Sequence, residues 1–185
     1  MSRFRWTIAL VIAVGIISIP QKASAQFYVQ ATASVNTPAI GSSFEEEVET
    51  GMGVGSRIGY QFPNDLRLFA EIMDYRFPDK RTDGRYKGLL LGVGASTPIW
   101  IFNGYAGGGF YRIENTKLGG ERSDWVLGGH FGLDYQVTSI DLGNNRHMDL
   151  HFGGRLHIVD FTFSVNPDMQ ATWIEFWFGG VIPII

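Results

Sequence analysis

The segment Asp124-Trp-Val-Leu-Gly-Gly-His-Phe-Gly-Leu-Asp-Tyr-Gln-Val137 is written in period two. Its odd positions read Trp125, Leu127, Gly129, Phe131, Leu133, Tyr135 and Val137, and its even positions Asp124, Val126, Gly128, His130, Gly132, Asp134 and Gln136. Successive side chains of a strand point to opposite faces, so one face is apolar and the other small, polar or charged. Trp125 and Tyr135 bracket the apolar face, about 34 Å apart along an extended strand and about 24 Å apart once it tilts by ~45°. That span matches the ~25 Å apolar band between the two aromatic girdles of a membrane barrel. The expected arrangement has greasy side chains in lipid and ionised ones enclosed.

The same alternation recurs along the chain. Phe27 to Asn36 sets Phe27, Val29, Ala31, Ala33 and Val35 against Tyr28, Gln30, Thr32, Ser34 and Asn36. Gly51 to Phe62 sets Met52, Val54, Ile58, Tyr60 and Phe62 against three glycines, Arg57, Gly59 and Gln61, and its last aromatics extend the girdle. Met148 to Ile158 sets Met148, Leu150, Phe152, Leu156 and Ile158 against Asp149, His151, Gly153, Arg155 and His157. Leu66–Phe77, Arg85–Thr97 and Ile101–Asn115 alternate less cleanly, and Thr172 to about Ile182 closes the series with Glu175 opposite Ile174 and Phe176. These make eight strands, an even number and the smallest usual for a closed antiparallel membrane barrel. The fold class expected is therefore all-β, an eight-stranded antiparallel up-and-down transmembrane β-barrel over residues 26–185.

Connections alternate in length. Pro63-Asn64-Asp65 and Thr97-Pro98-Ile99 read as tight turns, whereas residues 37–50, 78–84, 116–122 and 162–171 are longer and more polar. Thr138 to His147 stands out as a long turn on the short-turn side, with Gly143-Asn144-Asn145 at its tip.

Residues 1–25 read as a secretory signal peptide: Arg3 and Arg5 precede an apolar run from Thr7 to Ile19, and Ala23-Ser24-Ala25 supplies the small-x-small cleavage pattern. Its loss removes Arg3, Arg5 and Lys22 from the 15 basic side chains and nothing from the 18 acidic ones, leaving net −6. That balance excludes a nucleic-acid binder, which needs a basic face to displace counterions. With no cysteine there is neither a disulfide framework nor a thiolate metal site. No later apolar run reaches the ~20 residues of a membrane helix.

Folding about the turn near Asn64 places Arg57 opposite Glu71, Gly59 opposite Phe69 and Gln61 opposite Arg67. An ion pair would then stand beside a glycine covered by an aromatic. Folding about the later turn pairs Asp134 with His151 and His130 with Arg155. The expected lumen also holds Arg112, Glu114, Asp124, Asp149, His157 and Glu175. An eight-stranded interior is just wide enough for side chains to fill it, so mixed charges there should pair off. The competing reading is a narrow solute or ion pathway. His151 and His157 lie about 20 Å apart on one strand and cannot share a metal ion. Lumen histidines satisfied by carboxylates are expected, with no metal and no cofactor.

With its signal peptide, eight dyad strands and glycine-rich segments such as Gly51-Met52-Gly53-Val54-Gly55 and Gly104-Tyr105-Ala106-Gly107-Gly108-Gly109, the chain resembles the small bacterial outer-membrane β-barrels. That group contains outer membrane proteins A and X and the opacity-type adhesins. The resemblance implies the bacterial outer membrane as destination, and outer-membrane lipid, lipopolysaccharide and the barrel assembly machinery as partners. It further implies a non-catalytic structural or surface-interaction role. Family members usually end on an aromatic residue that the assembly machinery recognises; this chain ends Val181-Ile182-Pro183-Ile184-Ile185, with Phe176, Trp177 and Phe178 set further in. Pro183 is expected below the last ladder bonds.

The expected outer loops supply the remaining candidates. Glu45, Glu46 and Glu47 can hold divalent cations against anionic headgroups, or simply form a solvated acidic loop. Lys80 and Arg81, followed by Arg85 and Lys87, are basic enough to meet lipopolysaccharide phosphates. Some outer-membrane barrels are lipid-modifying hydrolases, but Ser123 and His147 fall at opposite ends of the barrel and no nucleophile motif is present. A water-soluble carrier would need an apolar lumen, the reverse of the pattern.

Overall fold

An alternating strand must find partners for its backbone N–H and C=O groups, and in lipid it can do so only by closing a barrel. The computed structural model describes residues 26–116, 121–144, 146–161 and 169–184, so the expected signal peptide lies outside the described residues. Within them run β1 (Gln26–Pro38), β2 (Gly51–Gln61), β3 (Arg67–Pro78), β4 (Arg85–Ile99) and β5 (Phe102–Asn115). They are followed by the two-residue β6 (Glu121–Arg122), then β7 (Val126–Gly143), β8 (Arg146–Phe161) and β9 (Met169–Ile184). Consecutive long strands pair antiparallel, and β9 returns to β1, so eight strands close completely. β6 only prolongs the ladder at Glu114 and Asn115.

Burial alternates as the sequence requires. On β7, Leu127 is 76% exposed and Phe131 54%, whereas His130 is 2% and Asp134 7%. Phe27, Tyr60 and Phe62 form an edge-to-face chain on the outer wall at the turn end, and Phe102 meets Tyr135 there at 6.0 Å. Trp125 marks the opposite girdle, at the loop end.

The β2–β3 register is the expected one, with Arg57 opposite Glu71. Gly59 does stand opposite Phe69, but the ring that covers it belongs to Tyr28: a Cβ there would lie 2.4 Å from that ring. The β7–β8 register differs by two residues from the expected one. His130 faces His157, Gly132 faces Arg155 and Asp134 faces Gly153. The cause is that Thr138 to His147 is not a long turn. β7 continues to Gly143, β8 begins at Arg146, and the bend occurs at Gly143 and Asn144, with φ of 78° and 53°. A register shift between Gln136 and Thr138 adds an unpaired residue and hides the alternation. Pro183, expected below the ladder, lies within β9 opposite Tyr28.

A further correction concerns Arg112, Glu114 and Asp124, which are not in the lumen. Arg112 pairs opposite Leu89 and Glu114 opposite Lys87, both on the outer wall, and Asp124 is exposed beside β7. At this height the interior positions of β5 are Tyr111 and Ile113, each 1% exposed. The rule of grease outside and charge inside reverses where the wall rises out of the apolar band.

Candidate functional site

Three layers fill the barrel. Nearest the loop end, Met73, Tyr75, Phe77, Leu90, Tyr111, Ile113 and Trp173 form an apolar plug. It is completed from above by α1 (Ser43–Glu47), a single turn whose N-cap Ser42 side chain accepts from Glu45 N. Phe44 and Val48, four residues apart and both fully buried, hang from this turn into the barrel mouth. Phe44 packs against Phe77 at 4.9 Å and Trp173 at 6.0 Å. Neither was singled out from the sequence, although two apolar residues spaced i, i+4 inside an acidic run are the signal of a capping turn.

The middle layer is ionic. Glu71 Oε2 accepts from Arg57 Nε at 2.9 Å and from Arg155 Nη1 at 2.8 Å. Arg155 Nε donates in turn to Glu175 Oε2, which also meets His157 Nε2 at 2.9 Å and the Tyr75 hydroxyl at 3.2 Å. Both carboxylate side chains are 0% exposed. β2, β3, β8 and β9 each contribute one residue of this Arg–Glu–Arg–Glu chain, so it ties together four strands. Arg57 is enclosed by aromatic faces, its guanidinium 4.6 Å from the ring centre of Phe69, 5.1 Å from Tyr105 and 5.5 Å from Trp177.

The histidines extend the network. Tyr111 stands between them, its hydroxyl 3.0 Å from Nδ1 of both His130 and His157. His130 Nε2 lies 3.0 Å from Glu71 Oε1. The room for that ring comes from Gly107, where a Cβ would stand 2.5 Å from His130 Nε2. The run Glu175–His157–Tyr111–His130–Glu71 thus has four short links. Three of them meet hydrogen-bond geometry; at the fourth, His130 Nε2 and Glu71 Oε1, though close, form no oriented hydrogen bond. His151 lies apart, with Nδ1 2.8 Å from Asp134, which also accepts from Asn103 at 2.9 Å.

The third layer is Tyr28, Phe69, Tyr105, Trp177 and Val181, with the Trp177 indole donating to the Tyr105 hydroxyl at 2.9 Å. Below it a polar vestibule of about 310 Å³ opens at the turn end, lined by residues that include Gln26, Gln61, Asp65, Arg67, Gln136 and Asp149. Ser139, Asp149 and His147 gather at its rim, but the serine hydroxyl bonds the carboxylate and not the imidazole, the wrong order for activating a nucleophile.

The structure therefore brings together Arg57, Glu71, His130, Arg155 and Glu175, keeps Asp134 with His151, and excludes Arg112. In the loops, Arg81 pairs with Glu47 at 2.9 Å and Lys80 Nζ donates to the Glu45 carbonyl, while Glu46 remains exposed. Burial pushes the Asp79 carboxyl upward. Backbone N–H groups of Arg81 and Thr82, at 2.8 and 3.0 Å, outweigh that and hold it below the ordinary carboxylate value. The order it lends this loop is present above the usual carboxylate range and lost as pH falls through its lowered value.

No protein-family model matches the chain, and no curated protein sequence does. Among solved structures it is similar to Neisserial surface protein A, with a TM-score of 0.54 and 21% identity over 86% of this chain and 99% of that one. OprG of Pseudomonas aeruginosa follows at 0.47 and 14% over 90% and 99%. The attachment invasion locus protein Ail of Yersinia pestis gives 0.43 and 13% over 86% and 97%. The chain has the fold of the small eight-stranded outer-membrane β-barrels.

Proposed function

We propose that this chain is an integral protein of the bacterial outer membrane, exported through residues 1–25. In this reading its four longer loops face outward, and its role is structural or surface-interacting and non-catalytic. Outer-membrane lipid, lipopolysaccharide and the barrel assembly machinery are its partners on this reading. The observation that carries it is the filled interior: an apolar plug, an ion-paired belt and an aromatic floor stand in series across the bore. Opening a path would strip partners from buried charges, which costs several kcal/mol for each ion. A narrow pore is the reading this arrangement opposes. The purified protein, refolded and inserted into a planar bilayer, is expected to give no conductance steps. Reproducible unitary steps would replace the structural role with a channel.

A further inference from the structure

Charges on the outward wall of a membrane barrel need a reason, because the same parity lower down faces acyl chains. Here, at the loop end, the basic ones occupy one sector. Arg76 on β3 stands opposite Lys87 on β4, Lys87 opposite Glu114 on β5, and Glu114 opposite Arg122 on β6. One step nearer the membrane, Asp74, Leu89 and Arg112 form the next row. At the same end of the wall the other sectors carry Thr37 and Met52, or Asp160 and Gln170 on β8 and β9, with no basic residue.

Part of this charge is already neutralised. Arg76 pairs with Asp74 at 3.1 Å, and Glu114 is turned to Arg122 at 3.1 Å. Lys87 and Arg112 meet no carboxylate among the described residues. They are diagonal neighbours across β4 and β5, a placement that sets the two residues about 7–8 Å apart, within joint reach of one tetrahedral anion. The Arg112 guanidinium lies 5.7 Å from the ring centre of Trp125, the girdle residue, which fixes its depth at the headgroup level. Directly below, Leu89, Leu91 and Phe110 offer an apolar wall for chains attached to that anion.

We propose that Lys87 and Arg112 form a docking site for a phosphate of lipid A, the membrane anchor of lipopolysaccharide, with its acyl chains laid along Leu89, Leu91 and Phe110. The occupant follows from charge and position. Two cations with no carboxylate partner among the described residues match a phosphomonoester of about −1.5 to −2 better than a phosphodiester of single charge. The loop end, on the reading above, faces the leaflet where this glycolipid resides, so the inference rests on that reading. It moves the lipid contact from Lys80 and Arg81, which the capping turn engages, to the barrel wall.

The test counts bound lipid by native mass spectrometry on the full-length mature barrel refolded in detergent. The probes are bisphosphorylated lipid A, its chemically dephosphorylated form and phosphatidylglycerol. Wild type is expected to retain lipid A, and the double variant Lys87→Gln/Arg112→Gln to bind it about tenfold or more weakly. Dephosphorylated lipid and phosphatidylglycerol should bind wild type no better than lipid A binds the variant. Lys80→Gln should leave lipid A binding unchanged. Equal binding of all three lipids, undiminished binding by the double variant, or an equal loss with Lys80→Gln would each overturn the site. Heat-modifiable gel mobility of every variant separates this from failure of the barrel reading: loss of the shift in wild type sinks the latter, whereas a folded barrel indifferent to lipid A sinks only the site.

Discussion

Replacing Arg155 by Met is expected to destabilise the barrel by about 3–5 kcal/mol, because removing one partner leaves buried opposite charges uncompensated. Among the described residues Arg155 is the one cation that touches both carboxylates of the middle layer, 2.8 Å from Glu71 and bonded directly to Glu175. Glu71 would keep Arg57, but Glu175 would retain only His157 and Tyr75, neither of which brings a fixed charge. The magnitude comes from the orphaned anion more than from the lost bonds. The double variant Arg155→Met/Glu175→Gln should therefore be more stable than Arg155→Met alone, although it removes more contacts. Urea unfolding in lipid vesicles, followed by tryptophan fluorescence, measures both. A double variant that loses as much as the sum of the single losses would show that the network acts as independent hydrogen bonds.

Such a cluster specifies more than it stabilises. Four strands must meet in one register for Arg57, Glu71, Arg155 and Glu175 to find each other, and a slip by one residue would carry each of them into lipid. The Arg57–Glu71 half was legible in the sequence, since the short turn at Asn64 fixes the pairing sum. The Arg155 half was not, because its partners lie on β9, beyond a long connection, and on β3, across the barrel. The β7–β8 register was hidden separately: the irregularity between Gln136 and Thr138 shifts the phase of β7, so Ile140 and Leu142 fall on the parity that read as polar upstream, and the segment resembles a loop. Arg112 was misplaced for a different reason. Alternation reports two faces but not the height at which the apolar band ends, and near the mouth Tyr111 and Ile113 fill the interior while the charges lie on the outer wall. Phe44 and Val48 were hidden by the conspicuous glutamates around them.

The second large effect concerns the wall itself. Phe131 lies on β7 between Trp125 and Tyr135 and is 54% exposed. Phe131→Arg places a cation near the midplane of the apolar band, where its cost in a membrane barrel is about 2–4 kcal/mol. A water-soluble barrel with the same coordinates would tolerate arginine at so exposed a site within about 0.5 kcal/mol. Folding yield into vesicles and urea midpoint should both fall for Phe131→Arg. The same change at Ile40, 96% exposed in the loop after β1, should leave them unaltered. A loss confined to Phe131→Arg reports membrane depth and not the general cost of a charge.

The central claim is that one parity of each strand faces acyl chains and the other a packed interior. The chain has no cysteine, so a nitroxide can be attached to single introduced cysteines along residues 127–136 without background. Collision with oxygen, which concentrates in the bilayer, should then be high at 127, 131 and 133 and low at 136, whose side chain lines the polar vestibule with room for a label. Equal oxygen access at all these positions, or the opposite parity, would contradict the membrane barrel.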